Sequence, residues 1–104
     1  NSKAVEVCRQ LTGYGVKVNV VDPVADKEAC KQEFGLELTR LKDVKNADCL
    51  IFLVAHREFR DLHPEDLGRM CKKTNHHIRN VIIDIKSIFD RKTCEDRGFS
   101  YWSL

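Results

Sequence analysis

The sequence predicts an α/β fold built on a mainly parallel sheet, and three observations carry that expectation. Two short runs, "CLIFLVA" (49–55) and "VIIDI" (81–85), are apolar on both faces, as strands covered by helices on both sides must be. Other segments carry apolar residues at helical spacing. The two kinds of segment alternate along the whole chain, which favours parallel strands joined by right-handed crossovers.

The elements follow in order. Ser2 is an expected N-cap, with Ala4, Val7, Cys8 and Leu11 behind it on one helical face. "TGYG" (12–15) places glycines where that helix must stop. "VKVNVV" (16–21) alternates as a strand does, and Asp22–Pro23 ends it. A second helix runs from Asp26 to Phe34, with Ala29, Cys30 and Phe34 inward. "GLELT" (35–39) reads as a short edge strand, and Leu41, Val44 and Ala47 mark a helical turn or two. Residues 49–55 form the central strand and 57–62 start a helix. Pro64 suits the first turn of a helix reaching Lys73, with Leu67, Met70 and Cys71 on one face. Residues 81–85 make another buried strand, although Asp84 and Lys86 interrupt its apolar pattern. Asp90 caps a short helix that Gly98 ends, and 99–103 is the last strand.

Length and composition narrow the function. At 104 residues the chain reads as one domain, and 42% hydrophobic with 33% charged residues suits a globular protein. A formal net charge of +2 leaves no nucleic-acid footprint. No Lys/Arg run exceeds two residues, so a polybasic membrane patch is not expected, and the longest apolar run is too short to span a bilayer. No signal-peptide pattern is present. Five cysteines, none spaced C-x-x-C, argue against a disulfide framework. Cys8, Cys30, Cys49 and Cys71 fall on apolar positions and read as small core residues in a reducing cytoplasm. His76 and His77 are adjacent in a polar loop and lack zinc spacing, so no metal is expected. The chain opens on Asn1, its only methionine is Met70, and its first element is a helix. It is therefore expected to be a piece of a longer protein that has lost the first strand of its sheet.

Ligands of open parallel sheets bind beyond the carboxyl ends of the strands. That rule selects Asp22 and Pro23, Ala55 and His56, and Lys86 and Ser87. Lys86 is the sharpest candidate, because an ammonium group at the mouth of a sheet edge suits phosphate. The alternative is a lysine that ends a strand and reaches water. His56 and Ser87 are candidate crevice residues. Asp22 could hold a ribose, but no G-x-G-x-x-G accompanies it, and a plain turn accounts for it. No nucleophile-and-base set, G-x-S-x-G or P-loop is present, so the chain reads as a binding module without catalytic residues of its own.

The blocks "NSKAVEVCRQLTGYGVKVNVVDP", "ADCLIFLVAHREF" and "VIIDIKSIFDR" together resemble the C-terminal domain of UDP-glucose/GDP-mannose dehydrogenases. That resemblance implies a Rossmann-like, three-layer αβα sandwich, here without its first strand. It implies the UDP-binding third of an enzyme that oxidises a sugar's C6 alcohol to a carboxylate while reducing two NAD. The partners implied are a UDP-sugar, the rest of the dehydrogenase chain and a second subunit in a homodimer. Members acting on UDP-glucose usually carry Asp-Gly-Arg where this chain has Asp84-Ile85-Lys86. The lysine, with "VAHREF", is more like the members that oxidise UDP-N-acetylhexosamines for capsule or surface polysaccharide. Lys86 is then the residue that reaches the nucleotide sugar.

Departures from the family pattern set limits. The family's Asp-x-Arg would precede Asn1, so Asn1 and Ser2 are carried only as neighbours of NAD, which the N-terminal domain holds. Nothing here matches the family's cysteine nucleophile, so none of the five cysteines is assigned a catalytic role. A stand-alone α/β regulatory or nucleotide-binding module, receiver-like, is the alternative, although His56 stands where a receiver places an aspartate and the dinucleotide glycine fingerprint is missing.

Overall fold

The computed structural model describes residues 2–104 except Val24, Asp26, Leu36, Glu37 and His76, together with all side chains in that set but those of Ser2, Lys27, Ala29, Glu33 and Phe34. The expectations placed on Asn1, Asp26, Ala29, Phe34, His76 and the 36–37 part of a strand lie outside the described residues, as does the side chain of Ser2. The chain divides into two compact units, Asn1–Asp43 and Val44–Leu104.

In the first unit, α1 spans Ser2–Gly13 and α2 spans Lys27–Phe34. Cys8 is buried and Ala4, Val7 and Leu11 are half-buried, whereas Lys3, Glu6, Arg9 and Gln10 are exposed, as the helical spacing predicts. Gly15 stops α1: its φ of +86° is open to glycine without strain, and the backbone N–H of Val16 returns to the carbonyl of Leu11 at 3.1 Å. The strand expected over 16–21 is corrected, and the one expected over 35–39 is described only at Gly35, Leu38 and Thr39. Among the described residues they meet only at one parallel bridge, Val20 to Leu38, closed by Thr39 N–H donating to the Val20 carbonyl at 2.7 Å. Alternating side chains supply a strand-like surface, but a strand needs a ladder, and among the described residues the ladder is one rung. The turn or two expected from Leu41 is a single 3-10 turn, Leu41–Asp43.

The second unit contains the sheet. β1 is Cys49–Phe52, followed by α3, Arg57–Arg60, and α4, Pro64–Met70. β2 is Val81–Asp84, α5 is Arg91–Asp96 and β3 is Ser100–Ser103. All three strands are parallel in the order β1-β2-β3, so β2 is central, and the expectation that 49–55 forms the central strand is corrected. The strands are also shorter than the apolar runs that announced them. Each run continues past the last paired residue into the loop that leaves the sheet. The helix from Pro64 ends at Met70 instead of Lys73, because Cys71 pairs with Ala47 and the Lys72 N–H donates to the Ala47 carbonyl at 2.8 Å.

The register aligns Leu50, Ile82 and Tyr101 in one row and Phe52, Asp84 and Ser103 in the next. All but Ser103 are buried. Both crossovers advance in the same direction, and with the right-handed turn such connections take they put their helices on the same face of the sheet. Phe59 of α3 meets Phe52 edge-on at 5.8 Å on that face. Leu67 and Ile82 are fully buried, and Cys94 of α5 is nearly so. The opposite rows, Cys49–Val81–Ser100 and Ile51–Ile83–Trp102, are half-buried to exposed, with Trp102 63% exposed. The expectation of core cysteines therefore needs correction: Cys8 and Cys71 are buried, Cys30 is half-buried and Cys49 is exposed. Cys94, not counted among them, is buried.

Candidate functional site at the carboxyl edge of the sheet

A parallel sheet delivers all its strands' carboxyl ends to one edge. β1 and β2 end in register, Phe52 beside Asp84, and the Ile85 N–H extends the ladder by donating to the Phe52 carbonyl at 3.0 Å. The segments that leave this edge, 53–56 and 85–90, bring His56, Lys86 and Ser87 to the same side of the sheet.

The second segment is organised by Asp84, which is completely buried. A buried carboxylate is tolerable only when hydrogen-bonded. Its Oδ1 accepts from the Ile88 N–H at 3.1 Å, and its Oδ2 accepts from the Phe89 N–H at 2.9 Å. The Tyr101 hydroxyl stands 2.5 Å from Oδ2 and 3.1 Å from the Phe89 carbonyl. Its single proton goes to the carboxylate, the shorter and charge-assisted bond. Burial first, and then the bond to Asp84, pushes the Tyr101 phenol well above its ordinary range. Phe89 packs against Phe52 at 4.8 Å. The loop is thus fastened to the sheet by its backbone and by the Phe89 ring.

Between these fastenings the chain turns. The Ser87 N–H donates to the Asp84 carbonyl at 3.2 Å, and Ser87 adopts a φ of +52°, in the left-handed region. The strand therefore finishes on Asp84, and Lys86 stands on the turn beyond it instead of at the strand end. Its side chain is exposed, and no ion pair holds it among the described residues. Ser87 is exposed beside it. His56 is half-buried and sets the N-terminus of α3, its carbonyl accepting from Phe59 and Arg60 N–H at 3.0 and 3.1 Å. Its ring meets Phe59 edge-on at 5.8 Å. Asp90 caps α5 by accepting from the Thr93 N–H at 2.9 Å. That bond first, and the Thr93 hydroxyl second, lower the Asp90 carboxyl below its usual range.

Two residues that sequence reasoning left unassigned belong to this edge. Tyr101 supplies the hydroxyl that completes the Asp84 site. Arg91 donates to the Tyr101 carbonyl at 2.9 Å and to Ser103 Oγ at 3.4 Å, and lies 5.0 Å over the Tyr101 ring, tying the start of α5 to β3. The sequence did carry one signal, an aspartate inside an apolar strand, which demands buried partners.

Asn1 lies outside the described residues. Ser2 is the first residue of α1 in the other unit. Asp22, half-buried, is followed by a turn at Pro23, with the Ala25 N–H 3.4 Å from the Asp22 carbonyl. Among the described residues no three His, Cys, Asp or Glu side chains converge as a metal site would need. Burial raises the Cys8, Cys71 and Cys94 thiols, and Cys71, with Cys49 and Asp48 nearby, is pushed up to about 11. Such thiols are poor nucleophiles at neutral pH.

The second unit is an α/β arrangement with a parallel sheet, a class whose ligands generally sit beyond the carboxyl ends of the strands. The family model described as the UDP-glucose/GDP-mannose dehydrogenase family, UDP binding domain, matches residues 1–91, and the chain belongs to that family. It is 31% identical over 90 residues to protein CapL of Staphylococcus aureus, which covers 86% of this chain and 20% of the relative. It is 29% identical over 90 residues to a UDP-N-acetyl-D-glucosamine 6-dehydrogenase of Pseudomonas aeruginosa, with the same coverage. With a UDP-N-acetyl-D-mannosamine dehydrogenase of Methanocaldococcus jannaschii it shares 29% over 104 residues, 99% of this chain and 22% of the relative. The chain thus spans about a fifth of the length of these relatives. Family membership leaves no observation in favour of the receiver-like alternative.

Among the described residues there is no glycine turn of the kind that would cradle NAD, the cofactor the resemblance implies. A dinucleotide pyrophosphate needs glycines on the turn from a strand into a helix. The five glycines lie at the end of α1 (Gly13 and Gly15), after α2 (Gly35), within α4 (Gly68) and after α5 (Gly98), none of them on such a turn. No helix is long and apolar enough to cross a membrane among the described residues.

Proposed function

We propose that this chain binds the UDP end of a nucleotide sugar within an NAD-dependent UDP-N-acetylhexosamine 6-dehydrogenase of the cytoplasm. The whole enzyme, a homodimer, supplies uronic acid units for capsule or surface polysaccharide. It carries out a four-electron oxidation: a C6 alcohol, one water and two NAD⁺ give a carboxylate, two NADH and three protons. Hydride acceptance is NAD's contribution, and the residues that hold NAD and the catalytic thiol belong to other parts of the enzyme. The role of this chain is to fix the nucleotide. Lys86 neutralises diphosphate charge at the carboxyl edge, His56 and Ser87 line the same crevice, and the Asp84–Tyr101 site holds the Lys86 turn in place. Asn1 and Ser2 would lie near NAD in the assembled enzyme.

The observation that carries this reading is the position of Lys86, exposed on a fastened turn directly beyond the central parallel strand. The hexosamine assignment is supported by Asp84-Ile85-Lys86 and by the relatives named for UDP-N-acetyl-D-glucosamine and UDP-N-acetyl-D-mannosamine. Thermal-shift titration tests the binding role. UDP at about a hundred times its Kd should stabilise the chain by about 2.7 kcal/mol, with NAD and acetyl phosphate giving no shift. A shift with NAD or acetyl phosphate and none with UDP would reverse the assignment.

A further inference from the structure

The end of the sheet opposite the Lys86 turn carries a second concave surface. A cleft of about 1110 Å³ opens where the strands begin, bounded by α4, the segment before β2 and the turn before β3. Five cations line it, Arg69, Lys72, Lys73, Arg79 and Arg97, against the single carboxylate of Glu65. A chain whose net charge is only +2 therefore concentrates positive charge in one groove.

Two of the cleft's guanidinium groups are already paired with carboxylates of α4. Arg97 pairs with Glu65 at 2.7 Å, and Arg69 pairs with Asp66 on the same helix. Lys72, Lys73 and Arg79 are exposed and enter no ion pair among the described residues. The segment bearing them is anchored at both ends: Lys72 N–H bonds to the Ala47 carbonyl, and Asn80 Nδ2 donates to the Lys72 carbonyl at 2.7 Å. Between those cations Ile78 is 63% exposed within the cleft.

Phosphate sites converge Arg forks and backbone N–H groups on a point. In this cleft both paired arginines are engaged, and the remaining cations are strung along a groove beside an apolar side chain. We propose that the cleft docks a carboxylate-rich peptide segment of a partner protein, with Ile78 receiving an apolar residue of that segment. This inference stands apart from the UDP site, which lies at the other edge of the sheet.

Fluorescence anisotropy with a labelled glutamate-rich peptide containing one central leucine tests it. The wild-type chain should bind the peptide, more weakly as salt rises. The surface variant Lys72→Ala/Lys73→Ala/Arg79→Ala should bind about tenfold or more weakly, whereas Lys86→Ala and added UDP should change nothing. Replacing the peptide's leucine by serine should weaken binding. Equal binding by the triple variant would overturn the proposal. So would tighter binding of inorganic tripolyphosphate than of the peptide, or sedimentation showing that the triple variant abolishes a dimer of this chain, since either result gives the cleft a different occupant.

Discussion

At the scale of single residues, the site depends more on Asp84 than on the lysine that drew attention to it. Lys86 offers charge, and Asp84 decides where that charge stands. Removing the carboxylate leaves the Ile88 and Phe89 N–H groups and the Tyr101 hydroxyl without their acceptor in a buried place. Asp84→Ala should therefore lower unfolding stability by about 1.5–3 kcal/mol in urea titration. Asp84→Asn should fall between wild type and alanine, because an amide accepts on one side only. Equal stability of all three proteins would show that the network carries no weight. Tyr101 adds a pH dependence. Its folded pKa is raised, so the unfolded chain releases this proton first. The stabilisation is complete below the ordinary tyrosine range and is lost as pH rises through it toward the folded value. Tyr101→Phe should flatten the alkaline fall in Tm, and an unchanged profile would contradict the burial of that hydroxyl. The aspartate was legible in the sequence as an interruption of an apolar run. Its partner was not, since nothing local links position 84 to a hydroxyl in the last strand.

At the scale of elements, the sequence spoke clearly where local chemistry decides and poorly where pairing decides. The Asp90 cap, Pro64 at a helix start and glycines closing α1 and α5 all act over three or four residues, and all lie where the sequence implied. The strand expected over 16–21 had the right alternation, but alternation states only which side chains point which way. Whether a segment is a strand depends on a neighbour, and 16–21 finds one rung among the described residues. The same reason moved the centre of the sheet from 49–55 to β2, because an apolar run does not reveal which side its partners occupy. Hydrogen exchange should resolve these cases. Amides of Val81–Asp84, paired on both sides, should be the slowest to exchange, and those of 16–19 among the fastest. Comparable protection of the two segments would restore 16–21 as a strand.

At the scale of the whole molecule, the sheet separates two kinds of surface. Its carboxyl edge presents the exposed Lys86 on a hydrogen-bonded turn, where a compact anion is proposed, while its amino edge presents several cations along a cleft, where a longer one is proposed. Composition alone could not show this, because charges of both signs cancel in the total. The family was legible through three sequence blocks, and Lys86, on which the proposed hexosamine assignment rests, lies within the third. Since the chain spans about a fifth of its relatives, the purified 104-residue protein should give no NAD reduction with any UDP-sugar in a spectrophotometric assay. Steady turnover would mean that the chain holds a complete active site after all.

The most direct test is calorimetric titration of UDP into the wild-type chain and into Lys86→Ala. Charge-assisted contact with the diphosphate predicts one site per chain, with the variant weaker by about 1.5–3 kcal/mol, roughly ten- to hundredfold or somewhat more in Kd. Equal affinity in the two proteins, or no heat of binding in either, would contradict the account.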